Sequence, residues 1–136
     1  MKVVVDTNVM ISGVFFGGKP RQVLDLWQSN RFELLCSSEI LEEYEDVLYR
    51  LVKRSKHKDG NLVHSFMLNL SSMSTIVETI DTGEYSSDPD DDKFVQCAVS
   101  GKALYIVSGD SDLLELKRVN EIEIVTVNDF LERMSN

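Results

Sequence analysis

The sequence has little sulfur, little histidine and no long apolar run. Cys36 and Cys97 are its two cysteines. They are far apart and outside any CxxC pair, which reads as two buried thiols in a reducing cytoplasm. His57 and His64 are its two histidines, and neither sits at ligand spacing from a cysteine, which leaves no basis for a structural zinc site. No apolar stretch approaches the roughly 18 residues of a membrane span, so no membrane association is expected. Met1-Lys2 runs straight into Val3-Val4-Val5-Asp6, so a signal peptide is not expected either, and the location expected is cytoplasmic. Basic residues are outnumbered, 14 against 23 acidic, for a formal charge of −9. That balance argues against a passive nucleic-acid coat, which is normally basic. It is compatible with carboxylates clustered to hold cations, because the cations reverse the local sign.

What is present is a chain of 136 residues, 43% of them hydrophobic, with no repeat, low-complexity tract or linker. One domain spanning 1–136 is expected. Strand and helix patterns alternate. Lys2-Val5, Phe32-Cys36, Thr75-Ile80, Ala103-Val107 and Ile122-Val127 read as five strands. Helices are expected from Pro20 to about Ser29, from Ser38 to about Lys53, and from about Asn61. Others are expected from Asp88-Pro89 to about Ser100, briefly after Asp110, and over Asn128-Met134. This order predicts a three-layer α/β/α sandwich around a parallel sheet of about five strands.

Ligands bind such sheets beyond the carboxyl ends of neighbouring strands. Two expected strands end in acid there: Val5-Asp6-Thr7-Asn8 and Val107-Ser108-Gly109-Asp110-Ser111-Asp112. If the first and fourth strands are neighbours, Asp6 and Asp110 face one crevice; the competing reading makes each a helix cap. Asp91, at the third position of a helix opened by Asp88-Pro89, shares its face with Phe94, Val95 and Ala98 and points inward, with Asp90 and Asp92 to either side. A capping box is the competing reading. On the helix from Ser38, Glu43 and Glu45 flank the apolar stripe, and periodicity does not choose between them; Glu42 lies nearly opposite the stripe, as a solvated residue.

With those segments together the chain resembles the PIN-domain nucleases, specifically the toxins of VapBC pairs. Asp6-Thr7-Asn8 with Val9 and Ser12 resembles the family's opening motif. Ser38 to Leu48 resembles the second and points to Glu43, and Asp88-Pro89-Asp90-Asp91 with Ala98 resembles the third and points to Asp91. Ser108-Gly109-Asp110-Ser111-Asp112-Leu113-Leu114 resembles the fourth, with Ser108 where the family more often has Thr. The resemblance implies a catalytic set of Asp6, Glu43, Asp91 and Asp110 that, with Asp112 as accessory acid, holds Mg²⁺ or Mn²⁺, hard cations suited to carboxylate oxygens. Asn8 and Ser108 would orient that shell. It further implies hydrolysis of RNA, a small antitoxin as partner, and a homo-oligomer, dimeric or higher.

Other patterns carry less. Gly13 to Pro20 nearly matches a phosphate-binding loop but has Pro20 where Ser or Thr should stand. Asp88 to Asp92 fails as a calcium loop at Lys93 and Val99. A phosphoacceptor receiver domain could use Asp81 but has no Lys after the last strand. A PIN fold that only binds partners is disfavoured by its intact acids. The basic run from Arg50 to Lys58, including Lys53, Arg54 and Lys56, is either a solvated helix end or a track for RNA phosphates.

Overall fold

The computed structural model describes residues 1–55 and 60–135. Its first strand, β1 (Lys2–Val5), is a β-branched run with Val3, Val4 and Val5 fully buried, as a central strand covered on both faces requires. Two helices follow, α1 (Thr7–Phe15) and α2 (Gly18–Gln28), then β2 (Glu33–Cys36), α3 (Ser38–Arg54), α4 (Gly60–Met73) and β3 (Thr75–Ile76). A 3₁₀ turn (Pro89–Asp91) leads into α5 (Asp92–Gly101), β4 (Tyr105–Val107), α6 (Ser111–Leu114), β5 (Arg118–Val119), β6 (Ile122–Val125) and α7 (Val127–Met134). The strand order is β3-β2-β1-β4-β6-β5, parallel except for the antiparallel β5–β6 pair. The fold is a three-layer α/β/α sandwich.

From β1 the chain steps to β2 on one side, while from β4 it steps to β6 on the other. That divergence opens a crevice at the carboxyl ends of β1 and β4. The two strands pair directly, Val3 with Tyr105, Val4 with Ile106 and Val5 with Val107, and Asp6 N–H donates to Val107 O at 3.0 Å.

Four elements differ from the sequence expectation. The sheet has six strands rather than five, because β5 pairs back on β6 through the two-residue turn Asn120-Glu121, with Asn120 in the left-handed region at φ +54°. At two residues long and half-exposed, β5 carries no periodicity to read. The third strand ends at Ile76, not Ile80; beyond Val77, whose N–H reaches Cys36 O, the chain is a loop latched to α5. The helix expected from Pro20 starts at Gly18. The segment before it is α1, capped by Asp6. Glycine in the near-match to a phosphate loop serves packing instead: α1 and α2 approach so closely at Gly13 that a β-carbon there would lie 2.7 Å from Leu24 Cδ1 and 2.9 Å from Pro20 O.

The thiols behave as expected. Cys36 and Cys97 are buried and free, and burial pushes both up to about 12, so they stay protonated. Among the described residues no helix is long and apolar enough to cross a membrane.

Gly13→Ala tests the close approach. Because one neighbour is a backbone oxygen, α1 and α2 must separate, at a cost of about 1–3 kcal/mol. Thermal melts should fall by on the order of 4 °C per kcal/mol. An unchanged melting temperature would disprove the contact.

Candidate active site

The crevice is built from its floor upward. Asp6, 3% exposed, divides its carboxylate between two tasks. Oδ1 accepts from Val9 N–H at 2.9 Å and caps α1, while Oδ2 accepts from the Ser108 hydroxyl and from Gly109 N–H at 3.3 Å. Ser108, fully buried, also accepts from Asp110 N–H at 2.9 Å, so one hydroxyl ties the two strand ends together. Asp110 caps α6 through Leu113 N–H at 3.1 Å. Capping and convergence are therefore both true of Asp6 and Asp110. Burial raises the Asp6 carboxyl; the bonds from Ser108, Val9 and Gly109 oppose that rise, and the charge of Asp110 adds to it.

Asp91 stands at the end of the 3₁₀ turn rather than inside an α-helix, and its side chain meets Asp110. Its Oδ2 is enclosed, and among the described residues no N–H or O–H donor faces it. Two carboxyl groups so placed can share a hydrogen bond only if one holds a proton. Burial first, then the bond and charge of Asp110, then the charges of Asp88 and Asp112, push Asp91 up to about 7. Asp88, Asp91 and Asp112 each offer an oxygen within 4.8 Å of the others. Asp88 joins the cluster although the sequence reading gave it only a capping role; it does cap, accepting from Asp90 N–H at 3.1 Å, and still reaches Asp91.

Glu43 rather than Glu45 enters the crevice, since Glu45 is exposed on the helix surface. The neighbouring Tyr44, fully buried, donates its hydroxyl to Val5 O and so fixes α3 against the end of β1. Both Glu43 oxygens are engaged: Oε1 by Lys93 Nζ at 2.6 Å and Oε2 by the Thr7 hydroxyl. Sequence reasoning missed Thr7, Tyr44 and Lys93. It assigned the hydrogen-bonding role to Asn8, which is exposed, whereas Thr7 beside it is buried.

The sequence reading also set Asp92 aside. It is 7% exposed, and its Oδ1 accepts from Tyr85 N–H at 3.0 Å and Ser86 N–H at 2.8 Å. With Ser100 Oγ accepting from Ile80 and Asp81 N–H, it latches the loop that delivers Asp88. Asp81, the receiver-type candidate, accepts from Tyr85 Oη at 2.7 Å and Gly83 N–H at 3.2 Å as part of the same latch. A cleft of about 430 Å³ along α3 is lined mainly by acids, Glu39, Glu42, Glu43 and Asp46, with Lys93 and Arg50 as its cations. Lys53 and Arg54 lie exposed in the last turn of that helix; Lys56 lies outside the described residues.

Oxygen-only donors and a carboxylate atom with no donor of its own fit a hard divalent cation. Fold and site thus define the class, an α/β/α protein with an acidic centre at the switch point of its sheet. A PIN domain family model matches residues 2–112, and the chain belongs to the PIN-domain family, with nuclease chemistry as its coarse activity. An uncharacterised protein of Methanocaldococcus jannaschii, MJ1680, is 30% identical over 141 residues, covering 97% of this chain and 90% of that protein. Two solved structures share the fold. VapBC2 from Rickettsia felis, bound to a DNA fragment from their promoter, matches with a TM-score of 0.60 at 17% identity, over 93% of this chain and 98% of that one. PAE2754 from Pyrobaculum aerophilum matches with a TM-score of 0.67 at 13% identity, over 99% of this chain and 90% of that one.

The Asp91 carboxyl sets a pH dependence. Its folded value, about 7, lies above the unfolded value of about 3.9, so its contribution to stability is full below pH 4 and is lost as pH rises through 7. In EDTA the melting temperature should decline over that window. Asp91→Asn should flatten the decline and melt higher than wild type at pH 8, by on the order of 4 °C. Mg²⁺ or Mn²⁺ should raise the wild-type melt, by about 2.7 kcal/mol at a hundred times the dissociation constant, and the variant's far less. A wild-type melt indifferent to both ions would remove the metal-site assignment.

Proposed function

We propose that this PIN-domain protein is a Mg²⁺- or Mn²⁺-dependent endoribonuclease and the toxin of a toxin–antitoxin pair. The observation that carries the reading is the enclosed Asp91 carboxylate against Asp110, with oxygens of Asp88 and Asp112 close by, at the sheet's switch point. Asp91, Asp110 and Asp112 would hold the cation, with Asp6 beside them: its Oδ2 is filled by Ser108 and Gly109, and its Oδ1 keeps one lone pair beside the Val9 bond. A cation bound there supplies positive charge for the phosphodiester oxygens and lowers the pKa of an attacking water. Ser108 holds Asp6 and the Asp110 backbone in register, so the two strand ends present their charge to the same point. Tyr44 and Thr7 set the depth and direction of Glu43.

RNA is the substrate this reading names, and its phosphates would meet Lys53 and Arg54 in the last turn of α3. The small antitoxin and the homo-oligomer belong to the same reading. The fold shared with VapBC2 of Rickettsia felis supports the antitoxin partner.

Purified protein should cleave RNA, and not DNA, with Mg²⁺ or Mn²⁺ and stop with EDTA. Asp6→Asn and Asp110→Asn should each lower the rate by at least about a hundredfold, the scale of losing one electrostatic contact to a transition state. Cleavage surviving in either variant would place the activity elsewhere.

Neutralising Lys53 and Arg54 to Gln should weaken RNA binding and flatten its log–log salt dependence by about 0.7 per lost phosphate contact. An unchanged slope would leave these residues as complements to the helix dipole alone.

A further inference from the structure

Lys93 brings a cation close to the acids of the crevice. Its side chain is 19% exposed, and its ammonium makes two bonds, to Glu43 Oε1 at 2.6 Å and to the Asp90 carbonyl at 2.8 Å. The first partner belongs to α3. The second is the middle residue of the 3₁₀ turn, with Asp91 directly after it and the capping Asp88 two residues before. One side chain therefore spans the two parts of the site that no sheet hydrogen bond connects. Glu43 is closed from the other side by the Thr7 hydroxyl, and the Lys93 ammonium balances its charge, whereas the bonds to Asp6 come from neutral donors. Asp91 is the opposite case, with an enclosed oxygen and no donor.

We propose that Lys93 is a positioning residue that clamps Glu43 to the Pro89–Asp91 turn, and that Glu43 serves as an ion-paired carboxylate rather than as a ligand of the cation. This deepens the nuclease reading and rests on it. Glu43 with its proton-rich partner then forms a fixed wall of the crevice, and the distance between that wall and Asp91 is set by the reach of Lys93. A Lys at this position also lowers the repulsion among the acids while its ammonium is engaged by Glu43 and the Asp90 carbonyl.

The test uses the full chain and two readouts, Mn²⁺ affinity without RNA and RNA turnover at saturating Mn²⁺. Glu43→Gln should bind Mn²⁺ within about threefold of wild type, as expected for a charge change outside the ligand set, while Asp110→Asn should lose at least about tenfold. Lys93→Met should bind Mn²⁺ as tightly as wild type or tighter, because a neighbouring positive charge is gone. Its turnover should nevertheless fall by at least about tenfold, since a displaced crevice wall costs rate. Lys93→Arg, which can make both bonds, should recover most of that loss. A Glu43→Gln affinity as weak as that of Asp110→Asn would make Glu43 a ligand and overturn the proposal. So would full turnover in Lys93→Met. If Lys93→Met fails to fold, the Glu43→Gln titration decides alone. Wild-type protein that neither binds Mn²⁺ nor cleaves RNA would overturn the nuclease reading itself, and this inference with it.

Discussion

Two carboxyl groups in contact, Asp91 and Asp110, are the constraint on which the rest of the site depends. Like charges at that separation repel, and partial burial strengthens the repulsion, so nothing local would bring them together. The scaffold does so from outside. Asp110 is delivered by β4, whose register against β1 is fixed by three consecutive residue pairs of fully or nearly buried strands. Asp91 is delivered by the turn ahead of α5, whose apolar face (Phe94, Val95, Cys97, Ala98) is buried against the sheet. Burying Phe94 and Val95 is worth about 1.5–3 kcal/mol each, enough with the rest of that face to hold one unfavourable contact in place. The acidic centre is thus maintained by core packing, and its uncompensated charge is what the proposed cation would balance.

The same carboxylates do two jobs because each has two oxygens. Asp6 caps α1 with one and receives Ser108 and Gly109 with the other; Asp88 caps the 3₁₀ turn and still reaches Asp91. A cap fixes the side-chain rotamer, so capping is itself the device that aims the free oxygen. Helix starts in this fold fall at the carboxyl ends of strands, which is also where the crevice opens. Cap and functional group coincide for that geometric reason.

Much of this was legible in the sequence. Val3-Val4-Val5 and Tyr105-Ile106-Val107 are short runs of β-branched and aromatic residues that suit buried strands, and each is followed by acid, so a shared crevice for Asp6 and Asp110 could be read once the two strands were taken as neighbours. Asp91 could be read from its spacing to Phe94, Val95 and Ala98. What could not be read depends on contacts between distant segments. Lys93 meets Glu43 across 50 residues, and Tyr44 meets Val5 across 39. Thr7 was overlooked beside Asn8 because a threonine after a capping aspartate has no distinguishing pattern. Helix α1 was hidden by a stretch of mixed β-branched and glycine residues whose helical signal is the Asp6 cap rather than periodicity. The loop after β3 read as strand because Val77 and Ile80 are β-branched, while the groups that hold it off the sheet, Ser100 and Asp92, lie on α5.

Asp91 and Asp92 show why burial alone is a poor guide to function. They are neighbours in sequence, and Asp92 is the more buried. Two backbone N–H groups satisfy Asp92, as a carboxylate removed from water requires, and its consequence is a latched loop. Asp91 is less buried yet has an enclosed oxygen with no donor and an acid for a neighbour. A chain that supplies donors so fully to one aspartate and none to that oxygen of the next has left coordinating capacity at one point. That asymmetry in donors, rather than the count of acids or their depth, is what separates the residue proposed as a ligand from the residue that builds the wall behind it.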